Sequence, residues 1–507
     1  MARLPNTAIV LQPTNSPIVT LDLCLQLGGT SGNVWRKSMA REEKEVASRT
    51  IERLRILIAQ IDGEKGGKRT SREKLLESCQ SIEVLGVLSK DGESLSERVG
   101  NVNINEEELV ELDTSVPNSI FWKNARRIII GPTIVTVKYN VPTITAVTPP
   151  SSLYVGVPAV CGSIAALFTT EADVQYEWCS RGPCTSLSEK GVGSAAVRVI
   201  STSPVLIPTE KELGESLFLR VLPQPGSDLC TIVDLPTVQL EFPSMDRWKH
   251  TTKPATAPVF RVVTYNILHD EFCTSGSAKK TIYPFATDDI LALEYRQARI
   301  VQELIAYKAD IVCLQECGKK VYQRFLSRVM LHLGYEGCYS NKNGGVQEGC
   351  ACFWRSSRFA LEEKSEFPLN WSTLETDHPQ LAADVSKHEE FKEALRNVTS
   401  IGVMLQLKDR ITNEKLLVGN THLFYHANAC HIRLLQAFML LSRLQQMAHS
   451  HTAVVLCGDF NFTHTTGGYR LVTTGCVESG HHSGQRVKCI IGDVIACWVT
   501  MLKKERV

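Results

Sequence analysis

The stretch Val454-Val-Leu-Cys-Gly-Asp-Phe-Asn-Phe462 closes an apolar, strand-like run in Gly458 and then sets Asp459 and Asn461 two positions apart. Alternation along an extended backbone would turn both side chains to one side. One carboxylate beside one amide oxygen suits a hard cation such as Mg²⁺, with room left for waters and a phosphate. Three other apolar runs end in groups of the same kind. Thr264-Tyr-Asn-Ile-Leu268 closes one with Asn266, Leu314-Gln-Glu316 a second with Glu316, and Asn420-Thr-His-Leu423 a third with His422. Metal-dependent phosphodiester hydrolysis uses these types: carboxylates for the cation, a base for water, and donors for phosphoryl oxygens.

Each motif alone has a plainer reading. Asn266 at a strand end is an ordinary turn former, and Glu316 before a helix is an ordinary partner of its dipole. His422 and His426 have the i, i+4 spacing that binds zinc on a helix. Leu417-Val-Gly-Asn420 reads as a strand, however, and no Glu follows His422, which argues against a zinc protease. The four motifs gain weight jointly, because all close apolar strands within one region.

The 17 cysteines form no repeating framework, and the N-terminus lacks an apolar export segment, so a reduced intracellular protein is expected. Neither Cys179/Cys184 nor Cys350/Cys352 has a second half at structural-zinc spacing. No apolar run reaches the roughly 18 residues of a membrane span. A net charge of +1 supplies no whole-chain attraction for nucleic acid, so any basic patch must be local.

The elements that must position these groups begin at Val259, where strands and helices alternate. Strands are expected at Phe260–Ile267, Ile311–Gln315, Leu416–Leu423 and Ala453–Cys457. Helices are expected at Asp289–Tyr307, Lys319–Leu333 and His431–Met447. That order predicts an α/β domain with its chemistry at strand ends. Upstream, residues 1–145 read as an α+β domain, with a strand from Ile18 to Leu27 and a helix from Glu42 to Gln60. Residues 146–243 read as a small β-sandwich, with Val174, Tyr176 and Trp178 on one core face. Residues 244–258 read as a linker, 259–486 as the catalytic domain, and 487–507 as an atypical tail.

The motifs of the catalytic region resemble those of the endonuclease/exonuclease/phosphatase superfamily, in its deadenylase branch and on the side of its mitochondrial 2′,5′-phosphodiesterases. The residues that carry the resemblance are Val263-Thr-Tyr-Asn-Ile-Leu268, Thr281–Phe285, Leu293–Gln297, Asp310–Glu316, Glu348-Gly349, Phe353-Trp-Arg355, Asn420–Leu423 with His426, and Gly458–Asn461. The resemblance implies a four-layer α/β sandwich nuclease domain preceded by the α+β leader domain and the β-sandwich. It assigns Glu316, Asp459 and Asn461 to Mg²⁺, with Mn²⁺ as a substitute. It makes Asp459 and His422 catalytic, and Asn266, His426 and Asn461 substrate-binding. The implied substrates are 2′,5′-oligoadenylate and the 3′ poly(A) tail of RNA, hydrolysed to AMP in the mitochondrial matrix, with no membrane or firm protein partner. Gly344–Gly349 and Phe353-Trp-Arg355 fit this branch better than phosphoinositide, lipid or abasic-DNA enzymes.

The pattern breaks near its end. The family closes its domain with an Asp-containing strand and a Ser-Asp-His, and neither occurs after Val472. The expectation is a C-terminally truncated isoform or a mis-assigned gene end. The alternative function is then a catalytically impaired protein that binds RNA or a partner.

Overall fold

The computed structural model describes residues 6–26, 34–63, 82–86, 109–131, 133–183, 197–240, 242–448 and 452–477. The tail at 487–507, the Gly66-Gly-Lys-Arg69 stretch and Cys184 lie outside the described residues. Two compact units emerge: Met1–Pro149, Ser163–Ser203 and Ser216–Leu235 form one, and Pro150–Gly162, Pro204–Glu215 and Pro236–Val507 the other.

The first unit is built on a seven-stranded sheet in the order Trp35–Glu42, Ile18–Leu25, Thr7–Leu11, Thr133–Tyr139, Ala125–Ile130, Ile82–Gly86, Val110–Glu111. The helix Ala47–Gly63 buries Ile51, Leu54 and Ile58 against Val10, Leu21, Leu23 and Val137 of that sheet. It starts five residues later than expected, because Trp35–Glu42 pairs along its whole length with Ile18–Leu25. A four-stranded sheet, with Gln175–Pro183 between Arg198–Ser201 and Glu215–Leu222, holds Tyr176 and Trp178 buried. Trp178 donates its indole N–H to the Ser203 carbonyl at 2.8 Å, which satisfies the one polar atom of an otherwise apolar ring. The strand pairs Leu153–Tyr154 with Val238–Gln239 and Ala159–Val160 with Val205–Leu206, all within 146–243, fall in the second unit.

The second unit carries the alternating pattern. One sheet runs β1 (Val262–Asn266), β2 (Ile311–Gly318), β4 (Glu348–Arg355), β3 (Tyr335–Asn341) in spatial order. The other runs β5 (Phe359–Pro368), β6 (Ile401–Asp409), β7 (Lys415–His422), β8 (Ala453–Asp459). β1 and β2 are parallel, as are β7 and β8, so the C-terminal ends of each pair lie together. The two-residue period sorts the side chains. Along β2, Ile311 and Cys313 pack with Val403, Leu405 and Val418 of the second sheet. Val312 and Leu314 turn the other way, onto Val301, Leu304, Val329 and Met330. Helix α2 (Cys430–Met447) covers the far side of the second sheet through Leu434, Phe438 and Leu440. Helices therefore flank two facing sheets, giving the expected four-layer α/β sandwich.

Three local features depart from the sequence reading. The helix expected over Asp289–Tyr307 is interrupted at Ala292, whose ψ of 136° separates Asp288–Leu291 from α1 (Leu293–Tyr307). The helix expected over Lys319–Leu333 contains a π turn at Tyr322–Leu326. Asp246–Thr251, inside the expected linker, is a 3₁₀ turn tied to α1 by an Arg247–Glu303 ion pair and by the Thr251 hydroxyl on the Ala306 carbonyl at 2.9 Å. Among the described residues no helix is long and apolar enough to cross a membrane.

Candidate active site

Glu316 is placed by a bulge. Leu314 pairs with Ala351 and Cys317 with Gly349, so Gln315 and Glu316 together oppose Cys350. Glu316 takes the left-handed conformation, φ 54°, a strain of about 1–3 kcal/mol for a non-glycine residue. The extra residue re-aims the side chain at the strand end. Both carboxylate oxygens are held: Asn266 Nδ2 donates to Oε1 at 2.7 Å and the His269 backbone N–H to Oε2 at 3.0 Å.

Asn266 closes β1 and serves both carboxylates. Its Nδ2 also donates to Asp459 Oδ2 at 2.9 Å, while its Oδ1 accepts from the Leu268 N–H at 2.9 Å. Asp459 closes β8, in register with His422 on β7. His422 Nε2 stands 3.9 Å from Asp459 Oδ2. The approach of β7 to β8 needs the glycine before Asp459, because a Cβ on Gly458 would meet the Thr421 carbonyl oxygen at 2.5 Å.

The expectation that Asp459 and Asn461 share one side of an extended strand is corrected. β8 ends at Asp459, and Asn461 has φ 51°. The Asn461 N–H turns back onto Asp459 Oδ1 at 3.1 Å, and its Nδ2 donates to the Leu423 carbonyl at 3.1 Å. A short local side-chain bond has displaced the strand, as Asp and Asn commonly allow. His426 lies beyond β7, its ring stacked on Phe424 at 6.3 Å. Buried Arg433 on α2 holds that loop, donating to the carbonyls of Phe424 at 3.0 Å and His426 at 2.6 Å.

Asn420 has a structural task. Fully buried, it accepts from Gln315 Nε2 at 2.8 Å and donates to the carbonyls of Leu314 at 3.1 Å and Ala351 at 3.3 Å. It thus ties β7 of one sheet to β2 and β4 of the other, directly behind Glu316.

The residue-type reading missed Lys342, Glu348 and His269 as parts of this site. Lys342 forms an ion pair with buried Glu348 and reaches His422 Nδ1 at 3.2 Å. An ammonium has only donors, so Nδ1 is the acceptor and Nε2 keeps the proton. Burial, with Lys342 beside it, pushes the His422 imidazole down to about 4. Burial likewise raises Glu348, against the pull of Lys342. The advance signals were the place of Glu348 in the Glu348-Gly349 motif and its charge at the head of the apolar run Gly349–Trp354.

Ligand-type atoms of Glu316, His422 and Asp459 lie within 4.8 Å of one another. With His422 Nδ1 facing Lys342 and Nε2 protonated, the two carboxylates are the groups free to hold a cation. The carboxylates converge on a neutral amide, an arrangement whose mutual repulsion a divalent cation relieves. The oxygen-rich donor set fits a hard ion, so the residues present suit a divalent metal.

Residues 263–475 match the sequence profile of the Endonuclease/Exonuclease/phosphatase family. The human 2′,5′-phosphodiesterase 12 is 25% identical over 510 residues, covering 95% of this chain and 81% of that protein. The CCR4-Not complex 3′-5′-exoribonuclease subunit Ccr4 of Mycosarcoma maydis is 26% identical over 274 residues, 48% of this chain and 39% of that protein. Among solved structures, ANGEL2, described as a 2′,3′-cyclic phosphatase, aligns with a TM-score of 0.37 at 26% identity, over 45% of this chain and 62% of that one. The α/β region at 263–475 therefore carries the sequence pattern of the Endonuclease/Exonuclease/phosphatase family.

Proposed function

We propose that this chain is a metal-dependent phosphodiesterase that removes AMP from the ends of oligoadenylate and poly(A). The observation that carries the reading is the single amide of Asn266 holding Glu316 and Asp459 together beside His422. Similarity to the human 2′,5′-phosphodiesterase over 95% of the chain supports the substrate class. Glu316 and Asp459 would hold Mg²⁺, with Asn461 nearby. When bound, the cation supplies Lewis-acid polarisation of a phosphoryl oxygen and a more acidic water.

The chain's own residues do the rest. Asp459 orients the attacking water and takes its proton at Oδ2. His422, neutral at physiological pH, donates its Nε2–H to a phosphoryl oxygen as negative charge builds there. Lys342 keeps the imidazole in that tautomer by donating to Nδ1. Asn266 holds both carboxylates in place without adding charge.

The test is AMP release from 2′,5′- and 3′,5′-linked oligoadenylates, with Mg²⁺, with EDTA, and with Glu316→Gln. Release is expected to need Mg²⁺ and to fall at least ~10²-fold in Glu316→Gln, the scale for losing one preorganised charge-stabilising group. Release that survives both EDTA and Glu316→Gln would refute the assignment. A folded chain with no release from either linkage would leave the binding-protein alternative.

A further inference from the structure

Three adjacent strands of the first sheet carry a row of cysteines. Cys352 on β4 lies directly opposite Cys338 on β3 and directly opposite Cys313 on β2. Residues paired this way share one face of a sheet. Here that face is the inter-sheet core, where Cys313 and Cys352 pack with Val403, Val418 and Cys457 of the second sheet and Cys338 lies at the margin. Cys313, Cys352 and Cys457 are buried, and Cys338 is half-buried. β3 is the outermost strand of its sheet, so the row opens at Cys338.

The sulfur of Cys352 is the meeting point. Asn420 Nδ2 approaches it at 3.4 Å, and Cys313 and Cys338, opposite it on either side, hold its thiol below the ordinary cysteine range against the effect of burial. A sulfur held in this way has thiolate character, the property that governs attack on peroxides and disulfides. The row is an unpromising metal site: among the described residues only Glu316, His422 and Asp459 bring three ligand atoms within 4.8 Å of one another. For a disulfide the frame is suitable. Directly paired residues of antiparallel strands have Cα atoms about 4.5–5.5 Å apart, inside the roughly 4.4–6.8 Å range that a disulfide spans.

We propose that Cys338 and Cys352 form an oxidative modification site, a reversible disulfide made by a peroxide entering at the β3 edge. The Cys352 sulfur attacks one peroxide oxygen and the O–O bond breaks. A sulfenic acid forms, and the departing hydroxide leaves as water with the thiol proton. The Cys338 sulfur then displaces the sulfenic hydroxyl. An S–S bond forms, and a second water carries away the Cys338 proton. Two thiols lose two electrons and the peroxide gains them. The new bond draws the Cys352 sulfur toward β3 and away from Asn420, so oxidation loosens a contact of the residue that ties the two sheets behind Glu316.

The experiment treats the reduced full chain with hydrogen peroxide and maps disulfides in a non-reduced digest by mass spectrometry. A linked Cys338–Cys352 peptide pair is expected, released by dithiothreitol and absent from Cys338→Ala and from the size-matched Cys338→Ser. The oxidised chain is also expected to exchange the amides of β7 at least about tenfold faster, returning to the original rate on reduction. If exposed Cys476 is oxidised while Cys338 and Cys352 remain alkylatable, the proposal is overturned. It is equally overturned if the two cysteines link without changing β7 exchange. Neither readout uses catalysis, so this inference and the phosphodiesterase reading fail independently.

Discussion

Replacing Asn420 by alanine tests whether a few polar contacts across the central core hold the two sheets in the relation the site needs. The side chain is fully buried and makes three hydrogen bonds with nitrogen and oxygen partners, one from Gln315 at 2.8 Å and two to the carbonyls of Leu314 and Ala351, besides a weaker one to the Cys352 sulfur at 3.4 Å. At a net value of about 0.5–1.5 kcal/mol each, their loss costs about 3 kcal/mol. Part of the damage is limited locally, because Gln315 Nε2 also reaches Thr264 Oγ1 and the Cys313 carbonyl at 3.2 Å. In a chain of two compact units a single unfolding midpoint is poorly defined. Local opening is the better observable. Hydrogen exchange should therefore be followed by mass spectrometry on peptides covering Ile311–Gly318 and Lys415–His422. At about 1.4 kcal/mol per tenfold, the expected acceleration is about two orders of magnitude in both strands. The seven-stranded sheet of the other unit serves as the internal control and should be unchanged. An acceleration below about fivefold, or one spread equally over both units, would refute the idea that Asn420 is an energetically important tie. The same variant should lose activity beyond its loss of folded population, because Gln315 adjoins Glu316 and Asn420 lies two residues before His422.

Two further outcomes follow from the site's supports. Arg433→Met keeps the length and apolar stem but removes the donors to the Phe424 and His426 carbonyls. The loop after β7 should become protease-sensitive, and KM for oligoadenylate should rise about tenfold with Mg²⁺ dependence retained; an unchanged KM would show that the clamp does not position His426. Gly458→Ala puts a Cβ within 2.5 Å of the Thr421 carbonyl oxygen. Parting β7 from β8 should cost about 1–3 kcal/mol and weaken metal binding, measured by Mn²⁺ titration, whereas wild-type affinity would show that the strands yield without moving Asp459.

The sequence by itself determined the strands and the residues at their ends. Apolar runs of period two and the polar residues that stop them are local features, so Asn266, Glu316, His422 and Asp459 were legible as a set before any fold was known. The same periodicity placed Tyr176 and Trp178 in a core. What the tertiary structure decided is how those ends meet. Asn266 reaches Asp459 across 193 positions of chain, and spacing alone carries no information about such a contact. The bulge that frees Glu316 depends on its pairing with β4. The turn that takes Asn461 out of the strand is a competition between ladder and side-chain hydrogen bonds, which pattern reading settled the wrong way. Glu348 stood in a resemblance motif with no role attached to it, and Lys342 carried no signal in the sequence. They join the site because closing two sheets on each other buries them beside His422, where a charge must find a partner or give up its proton. The cysteine row has the same origin: Cys313, Cys338 and Cys352 are scattered in sequence, and only the register of three neighbouring strands lines them up.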